Sequence, residues 1–283
     1  MTTLDHKVDF AVILTVKNAN PNGDPLNGNR PRQNYEGHGE ISDVAIKRKI
    51  RNRLLDMGEA VFVQSNDRKV DEFKSLKDRA ESIPELKKLL TAKNSSADEV
   101  ARLSCEEWID VRSFGQVFAF KGTHVSVGVR GPVSIHAALS VDPIDITSTQ
   151  ITKSVNSVTG DKKGSDTMGM KHRVDFGVYV FKGSINTQLA EKTGFTNDDA
   201  EKIKQTLITL FENDASSARP DGSMEINKVY WWEHNSKMGQ YSSAKVHKTL
   251  DVRSKVEEPK DIEDYEISLK ELEGLQVDVI DGQ

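Results

Sequence analysis

The segment KVDFAVILTVK, residues 7–17, decides the fold. Its alternate positions are apolar on both sides of an extended chain: Val8, Phe10, Val12, Leu14 and Val16 on one side, Ala11 and Ile13 on the other. A strand that is apolar on both faces is typical of the middle of a sheet that is covered on both sides. We therefore predict that this segment is a central strand.

The next periodic segment predicts an amphipathic helix that begins at a cap on Ser42 or Asp43 and ends near Met57. Its inward positions repeat every four residues: Ile46, Ile50 and Leu54. The same helix carries a run of bases with no acid among them, which we expect to project from the core: Lys47, Arg48, Lys49, Arg51 and Arg53. Such cations repel one another unless an anion is nearby, so the helix is a candidate phosphate-binding surface, with a solvated basic helix as the alternative.

The remaining segments predict an α+β fold. Residues 61–109 are charged and helical and indicate an inserted subdomain, and a period of two returns from residue 115. Residues 145–171, with the turn signal TGDKKG, indicate a protruding hairpin, followed by a strand, a helix and another strand. Without insertions the order is strand, helix, strand, strand, helix, strand, the ferredoxin-like arrangement that RNA-recognition-motif domains share. Because this superfold hosts many activities, the arrangement alone assigns no function.

Charge is distributed unevenly along the 283 residues, whose net value is −5. Residues 257–283 hold ten acids and two bases, a local charge of −8, so the preceding 256 residues carry +3. There is no run of eighteen apolar residues and no secretory pattern at the start, so we expect a cytoplasmic protein without a membrane span. The single cysteine, Cys105, excludes an internal disulfide framework.

Two segments have compositions that suit contact with nucleic acid. NANPNGDPLNGNRPR, residues 18–32, has little side-chain bulk, so its backbone can approach a sugar-phosphate chain closely, or it is an ordinary Asn/Gly loop. SDTMGMKH, residues 165–172, places Met168 and Met170 among polar and turn-forming residues. These methionines either fill gaps in a core or form an apolar wedge between stacked bases.

Signals for catalysis or metal binding are weak in this sequence. The seven histidines are scattered, with no pair at the short spacing of metal ligands, and no second cysteine is present. Asp110 is interpreted as an ion-pair partner of Arg112 rather than as an acid or base, because no matching carboxylate lies in an identifiable cleft. We predict no catalytic residue, no metal and no cofactor.

Five motifs together resemble the type I-C branch of the Cas7 family, the backbone subunit of the CRISPR surveillance complex Cascade. They are NANPNGDPLNGNRPR, SDVAIKRKIRN, DVRSFGQVFA, VRGPVSIHAALSVDPI and SDTMGMKHRVDFGVYVFKGSIN. The resemblance implies a palm with a modified RNA-recognition-motif fold, helical fingers and a hairpin thumb. It also implies that several copies stack head to tail along the CRISPR RNA (crRNA). Each thumb would displace a base at regular intervals, while the bases between remain free to pair with target DNA.

The resemblance also implies boundaries, site residues and partners. The palm would comprise 1–60, 110–141 and 173–256, the fingers 61–109 and the thumb 142–172. The acidic segment 257–283 would either pack on the body or meet a neighbouring subunit. The implied RNA-binding residues are Asn20, Asn22, Arg30, Arg32, Lys47, Arg48, Arg51, Arg130, Met168, Met170 and Lys171. The implied partners are crRNA, target DNA through the guide, other copies of the chain and other Cascade subunits.

Two other functions remain open at this point. One is a CRISPR RNA-processing endoribonuclease on a related fold, which would need a histidine or tyrosine at the scissile phosphate. The other is a self-assembling structural protein without nucleic acid, which the acidic net charge favours.

Overall fold

A computed structural model describes residues 2–155, 159 and 168–283 as a mixed α+β fold with a central antiparallel sheet. The strands are β1 (Val8–Ala19), β2 (Gly23–Asp24), β3 (Arg30–Pro31), β4 (His38–Ile41), β5 (Gly115–Phe118), β6 (Val127–Arg130), β7 (Val133–Ile135), β8 (Ala138–Pro143), β9 (Ile146–Thr152), β10 (Met168–Ile185), β11 (Met224–Glu233), β12 (Leu250–Ser254), β13 (Tyr265–Leu269) and β14 (Asp278–Asp281). The helices are α1 (Asp43–Asp56), α2 (Leu76–Glu81), α3 (Pro84–Thr91), α4 (Ala97–Glu107), α5 (Ile109–Phe114), α6 (Thr187–Thr193), α7 (Asn197–Ile208) and α8 (Ser243–His247). None of these helices is both long and apolar enough to cross a membrane.

The central sheet has the strand order β14-β11-β1-β10-β8-β4, with β7 and β9 pairing elsewhere along β10. Strand β1 pairs antiparallel with β10 along most of its length and with β11 on its other side. The prediction of a central strand at residues 7–17 is therefore confirmed.

Both faces of the sheet are covered. On one face the side chains of Phe10 and Leu14 join a core formed with α1 and α7. On the other face Ala11 and Ile13 lie beneath residues from α8 to the C-terminal segment, including Leu275. These two cores explain why β1 is apolar on both sides.

The acidic segment 257–283 packs on the body, the first of the two alternatives considered for it. Strand β13 pairs with β12, and β14 extends the central sheet beside β11. The Tyr265 hydroxyl is 2.7 Å from Asp142 Oδ2, to which it donates a hydrogen bond. The acidic side chains thus belong to strands and turns of the fold.

Helix α1 is confirmed at the predicted position. The Ser42 hydroxyl accepts a hydrogen bond from the Ala45 backbone N–H and caps the helix. Its three inward positions are fully buried: Ile46, Ile50 and Leu54.

Helices α2 to α5 and the β5–β6 ribbon enclose a second hydrophobic core. Its centre is aromatic, with the Phe62 ring centroid 4.6 Å from that of Trp108 and 5.1 Å from that of Phe118. Because Phe118 belongs to this core, the unit built around the helices extends beyond residue 109.

The predicted pairing of Asp110 with Arg112 is wrong. The Arg112 guanidinium donates to both carboxylate oxygens of Asp199 on α7, at 2.7 and 3.0 Å. Asp110 is bonded instead to Arg51 of α1. Residues two apart on a helix point to different sides, so the two neighbours reach different partners.

An antiparallel pair is present where the hairpin was predicted. Strand β9 pairs with the first part of β10, from Met168 opposite Thr152 to Val174 opposite Ile146. Residues 160–164 of the predicted turn TGDKKG, and residues 165–167 of the motif that contains the methionines, lie outside the described residues.

Candidate nucleic-acid interface

The Asn/Gly segment forms a two-stranded ribbon, β2–β3, which is held by its own amides. The Asn20 side chain donates to the Asn29 carbonyl at 2.7 Å, and the Asn22 side chain accepts from the Ser42 backbone N–H at 2.9 Å. Asn29 has a φ of 61°, a left-handed conformation that asparagine tolerates better than most residues. A Cβ on Gly23 would lie 2.0 Å from the Asn29 side chain, so only glycine fits there. The segment is therefore a shaped element, in which Asn20 and Asn22 maintain the backbone.

A polar cleft of about 460 Å³ lies between this ribbon, helix α1 and the segment 213–219. Its polar lining comprises Asn22, Asn29, Arg48, Lys49, Asn52, Asp67, Arg68, Asn213, Asp214, Ser216 and Arg219. Four of these side chains are cationic and four are amides, which makes the cleft rich in donors for phosphate and sugar oxygens. Of the predicted site residues, Asn22 and Arg48 line it.

Arg68 and Arg219 are cleft residues that sequence reasoning missed. They are 151 positions apart in the chain, and neither lies in a basic run as dense as that of α1. Only the folded chain brings them beside Arg48, so no local pattern marks them.

Lys49 lies beneath the cleft and is almost fully buried. Its ammonium contacts the carboxylate of Asp214, which also accepts from Arg219 Nε at 3.1 Å. Burial lowers the pKa of Lys49 to about 8, although the Asp214 carboxylate opposes that shift. The expectation that Lys49 projects from the core is therefore wrong.

Acids of the chain itself accompany every base of α1. The pairs are Lys47–Asp43 at 3.0 Å, Arg48–Asp67 at 3.4 Å, Lys49–Asp214, Arg51–Asp110 at 2.9 Å, and Arg53 with Asp56 at 3.0 Å and Glu212 at 2.9 Å. The repulsion that suggested an external anion is thus balanced internally. Arg48 keeps 60% of its side chain exposed, so of these five bases it is the most accessible to a ligand.

The partner of Arg51 has a structural position. Asp110 is fully buried and accepts hydrogen bonds from Arg51 Nε at 2.9 Å and from the backbone N–H groups of Phe62 and Val63 at 2.7 and 3.1 Å. This one carboxylate therefore joins α1 to the beginning of the second core. The Nε–H of Arg51 is used in that structural hydrogen bond.

The methionines of the hairpin are exposed to solvent. Met168 is 58% exposed and Met170 is 53% exposed, so the alternative that they fill a core is wrong. The register places both on one face of the hairpin with His172, whereas Ile151 and Lys171 lie on the opposite face. An exposed pair of flexible apolar side chains is suited to contact with a partner.

Other predicted residues lie around the ribbon or away from it. Arg30 and Arg32 line a smaller cleft of about 260 Å³ beside the ribbon, and Arg30 also reaches the base of the hairpin. Arg130 is the last residue of strand β6. Neither Arg130 nor Lys171 lines either of these two clefts. Among the described side chains, no group of three or more His, Cys, Asp or Glu residues is arranged to hold a metal ion.

Comparisons with known proteins identify relatives of the chain. A family model described as CRISPR-associated protein Cas7 matches residues 6–270. A protein of Haloferax volcanii with the same description is 24% identical over 235 residues, which cover 77% of this chain and 67% of that protein.

Two solved structures show a weaker likeness. A chain from a complex described as a CRISPR RNA-guided surveillance complex, pre-nicking, aligns with a TM-score of 0.48 and 16% identity, covering 80% of this chain and 78% of that chain. A chain from a second CRISPR RNA-guided surveillance complex aligns with a TM-score of 0.43 and 15% identity, covering 80% and 68%.

Proposed function

This chain belongs to the CRISPR-associated Cas7 family, and we propose that it is a non-catalytic backbone subunit of a type I-C Cascade. In this role it binds crRNA and presents the guide for pairing with target DNA. The observation that carries the proposal is the exposed methionine face of the hairpin, which is hydrogen-bonded through Arg30 to a ribbon that also lines a donor-rich cleft.

The proposed RNA contacts divide into two kinds. Arg48, Arg68 and Arg219 bind phosphates in the cleft, whereas Met168 and Met170 lie against or between guide nucleotides. Phosphate and stacking contacts position a strand without reading its sequence. Sequence recognition is then left to base pairing, as in other RNA-guided complexes.

The topology supports a palm of the ferredoxin-like, RNA-recognition-motif type. Strands β1, β8, β10 and β11 follow one another along the chain in that order, and they lie side by side as β11-β1-β10-β8, that is fourth, first, third and second, with adjacent pairs antiparallel. This is the order that the ferredoxin-like arrangement requires, and α1 and α7 pack on one face of it. In the proposed hand, α2 to α5 are the fingers and the β9–β10 hairpin is the thumb.

The proposed assembly consists of copies arranged head to tail along the guide. A contact between two different surfaces of identical chains does not close on itself and generates a helix. The length of the crRNA would limit the number of copies in this helix. Other Cascade subunits are expected at the two ends of such a filament.

The decisive experiment replaces the two methionines. We expect M168D/M170D to abolish the periodic displacement of guide bases in chemical probing of assembled particles, because a carboxylate cannot insert between stacked bases. The matched control is I151D, which places a carboxylate on the opposite face of the same hairpin at a side chain of similar exposure, 50%. Normal periodicity in M168D/M170D, with both variants folded, would contradict the proposal.

The same preparation tests the two alternatives. Cleavage of RNA by the purified chain, lost on replacement of a single histidine or tyrosine, would support an endoribonuclease. Assembly that is insensitive to ribonuclease and salt, in protein free of nucleic acid, would support a structural protein.

A further inference from the structure

We propose that Arg30 and Ser148 form a strut that fixes the angle of the β9–β10 hairpin against the ribbon, so that Arg30 is a positioning residue. We expect this angle to hold the methionines at a set place along the guide, and that part of the inference rests on the proposed function. The strut itself is a property of the free chain.

One hydroxyl connects the ribbon to both arms of the hairpin. Arg30 Nη1 donates to Ser148 Oγ on β9 at 2.8 Å, and Ser148 Oγ is 2.8 Å from His172 Nδ1 on β10. A serine hydroxyl has two lone pairs and one hydrogen, so it can accept from the guanidinium while it is bonded to the imidazole. The register places Ser148 directly opposite His172, and the bridge therefore spans the two strands at one level.

The bridge lies on the methionine face of the hairpin. Because side chains two residues apart share a face, His172 and Met170 point to the same side. Two residues along a strand span about 7 Å, so the strut acts close to the exposed methionines. A two-stranded hairpin is only marginally stable by itself, and a tie at this level limits its freedom to bend.

A second contact ties the segment after the ribbon to the chain that leads into the hairpin. The Gln33 side chain, which follows the ribbon, donates to the Ile144 carbonyl at 3.0 Å and to the Gly37 carbonyl at 3.1 Å. Ile144 lies two residues before the start of β9, so the ribbon segment is bonded both to the hairpin and to the chain that leads into it. One contact would leave a rotation free, whereas two contacts define an angle.

The ribbon is a firm base for the strut. Asn20 holds the turn before Arg30 through the Asn29 carbonyl, and Gly23 packs directly against Asn29. In the register of the ribbon, the backbone of Arg30 lies opposite that of Asp24. The guanidinium therefore projects from a short, internally bonded element.

The first test measures amide hydrogen exchange of residues 149–152 and 168–171 in the free chain. We expect R30M to accelerate exchange about fivefold, the effect of one lost hydrogen bond. S148A should accelerate it more, because it also removes the bond to His172, and R30M/S148A should be no faster than S148A. S148T, which keeps the hydroxyl, and R48M, which removes a cleft cation, are controls expected to match the wild type. Exchange at the wild-type rate in S148A and R30M would overturn the strut.

The second test separates positioning from direct phosphate binding. We expect R30M to leave the slope of log affinity for crRNA against log salt unchanged. We expect S148A and R30M both to make the periodic displacement of guide bases less regular in chemical probing. A slope smaller by about 0.7 in R30M would show that Arg30 neutralises one phosphate, and would overturn its assignment as a positioning residue. Absence of RNA binding by the wild type would reject the proposed function and leave the exchange result valid.

Discussion

At the scale of single residues, Asp110 shows how a structural role can resemble a functional one. A buried carboxylate beside an arginine is a common feature of active sites. Here the carboxylate accepts hydrogen bonds from three donors of the chain itself: Arg51 Nε and the backbone N–H groups of Phe62 and Val63. Both oxygens of this fully buried group are bonded within the fold, so its role is to hold α1 to the second core.

We expect D110A to lower the free energy of unfolding by about 3–5 kcal/mol, because the substitution leaves Arg51 buried without its partner. Urea denaturation followed by circular dichroism measures the change. The matched control is D67A, which removes the exposed partner of Arg48 and should cost less than about 1 kcal/mol. A loss below 1 kcal/mol in D110A would show that the carboxylate is not a structural joint.

Residue roles were the least predictable level of this molecule. The bases of α1 were visible in the sequence, but their partners Asp110 and Asp214 come from segments 59 and 165 positions away. A side chain such as Lys49 is fixed by an acid that only the folded chain places beside it. Sequence periodicity records which face of a helix is apolar, and it contains no information on such distant pairs.

At the scale of elements, the three arginines of the cleft come from three separate segments. Helix α1 supplies Arg48, the loop after it supplies Arg68, and the segment before β11 supplies Arg219. The helix was predicted correctly because its period is local. The cleft was not, since two of its three arginines lie outside any basic motif.

We expect R48M, R68M and R219M each to reduce the slope of log affinity for crRNA against log salt by about 0.7, the value for one phosphate on a single strand. Fluorescence anisotropy at several salt concentrations measures the slopes. R102M is the matched control, because Arg102 is an exposed, ion-paired arginine on α4 that does not line the cleft. Unchanged slopes in all three variants would show that the cleft does not bind phosphate.

At the scale of the whole molecule, the C-terminal segment is part of the fold in spite of its charge. Its acids are mostly exposed, whereas Tyr265 and Leu275 are buried in the core on the second face of the sheet. The alternation of Tyr265, Ile267 and Leu269 was a readable strand signal in this segment.

We expect L275A to lower the free energy of unfolding by about 2–5 kcal/mol, the cost of removing a buried leucine side chain. The control is V279A on β14, whose side chain is 49% exposed and whose loss should cost less than about 0.5 kcal/mol. Comparing the free energies of unfolding of the two variants by chemical denaturation shows whether the C-terminal segment is part of the folded structure or an appended tail. Equal, small effects would show that the segment is dispensable for the fold.

The covered second face has a further consequence for any bound strand. RNA-recognition-motif domains use an open sheet, on which aromatic rings stack two or three bases. In this chain the central strands present Ala11, Ile13 and Val178 to that face, and all three are shielded from water by the chain itself. The face that serves as the nucleobase platform in those domains is therefore covered in this chain, and the RNA contacts proposed above lie elsewhere, in the cleft and on the exposed face of the hairpin.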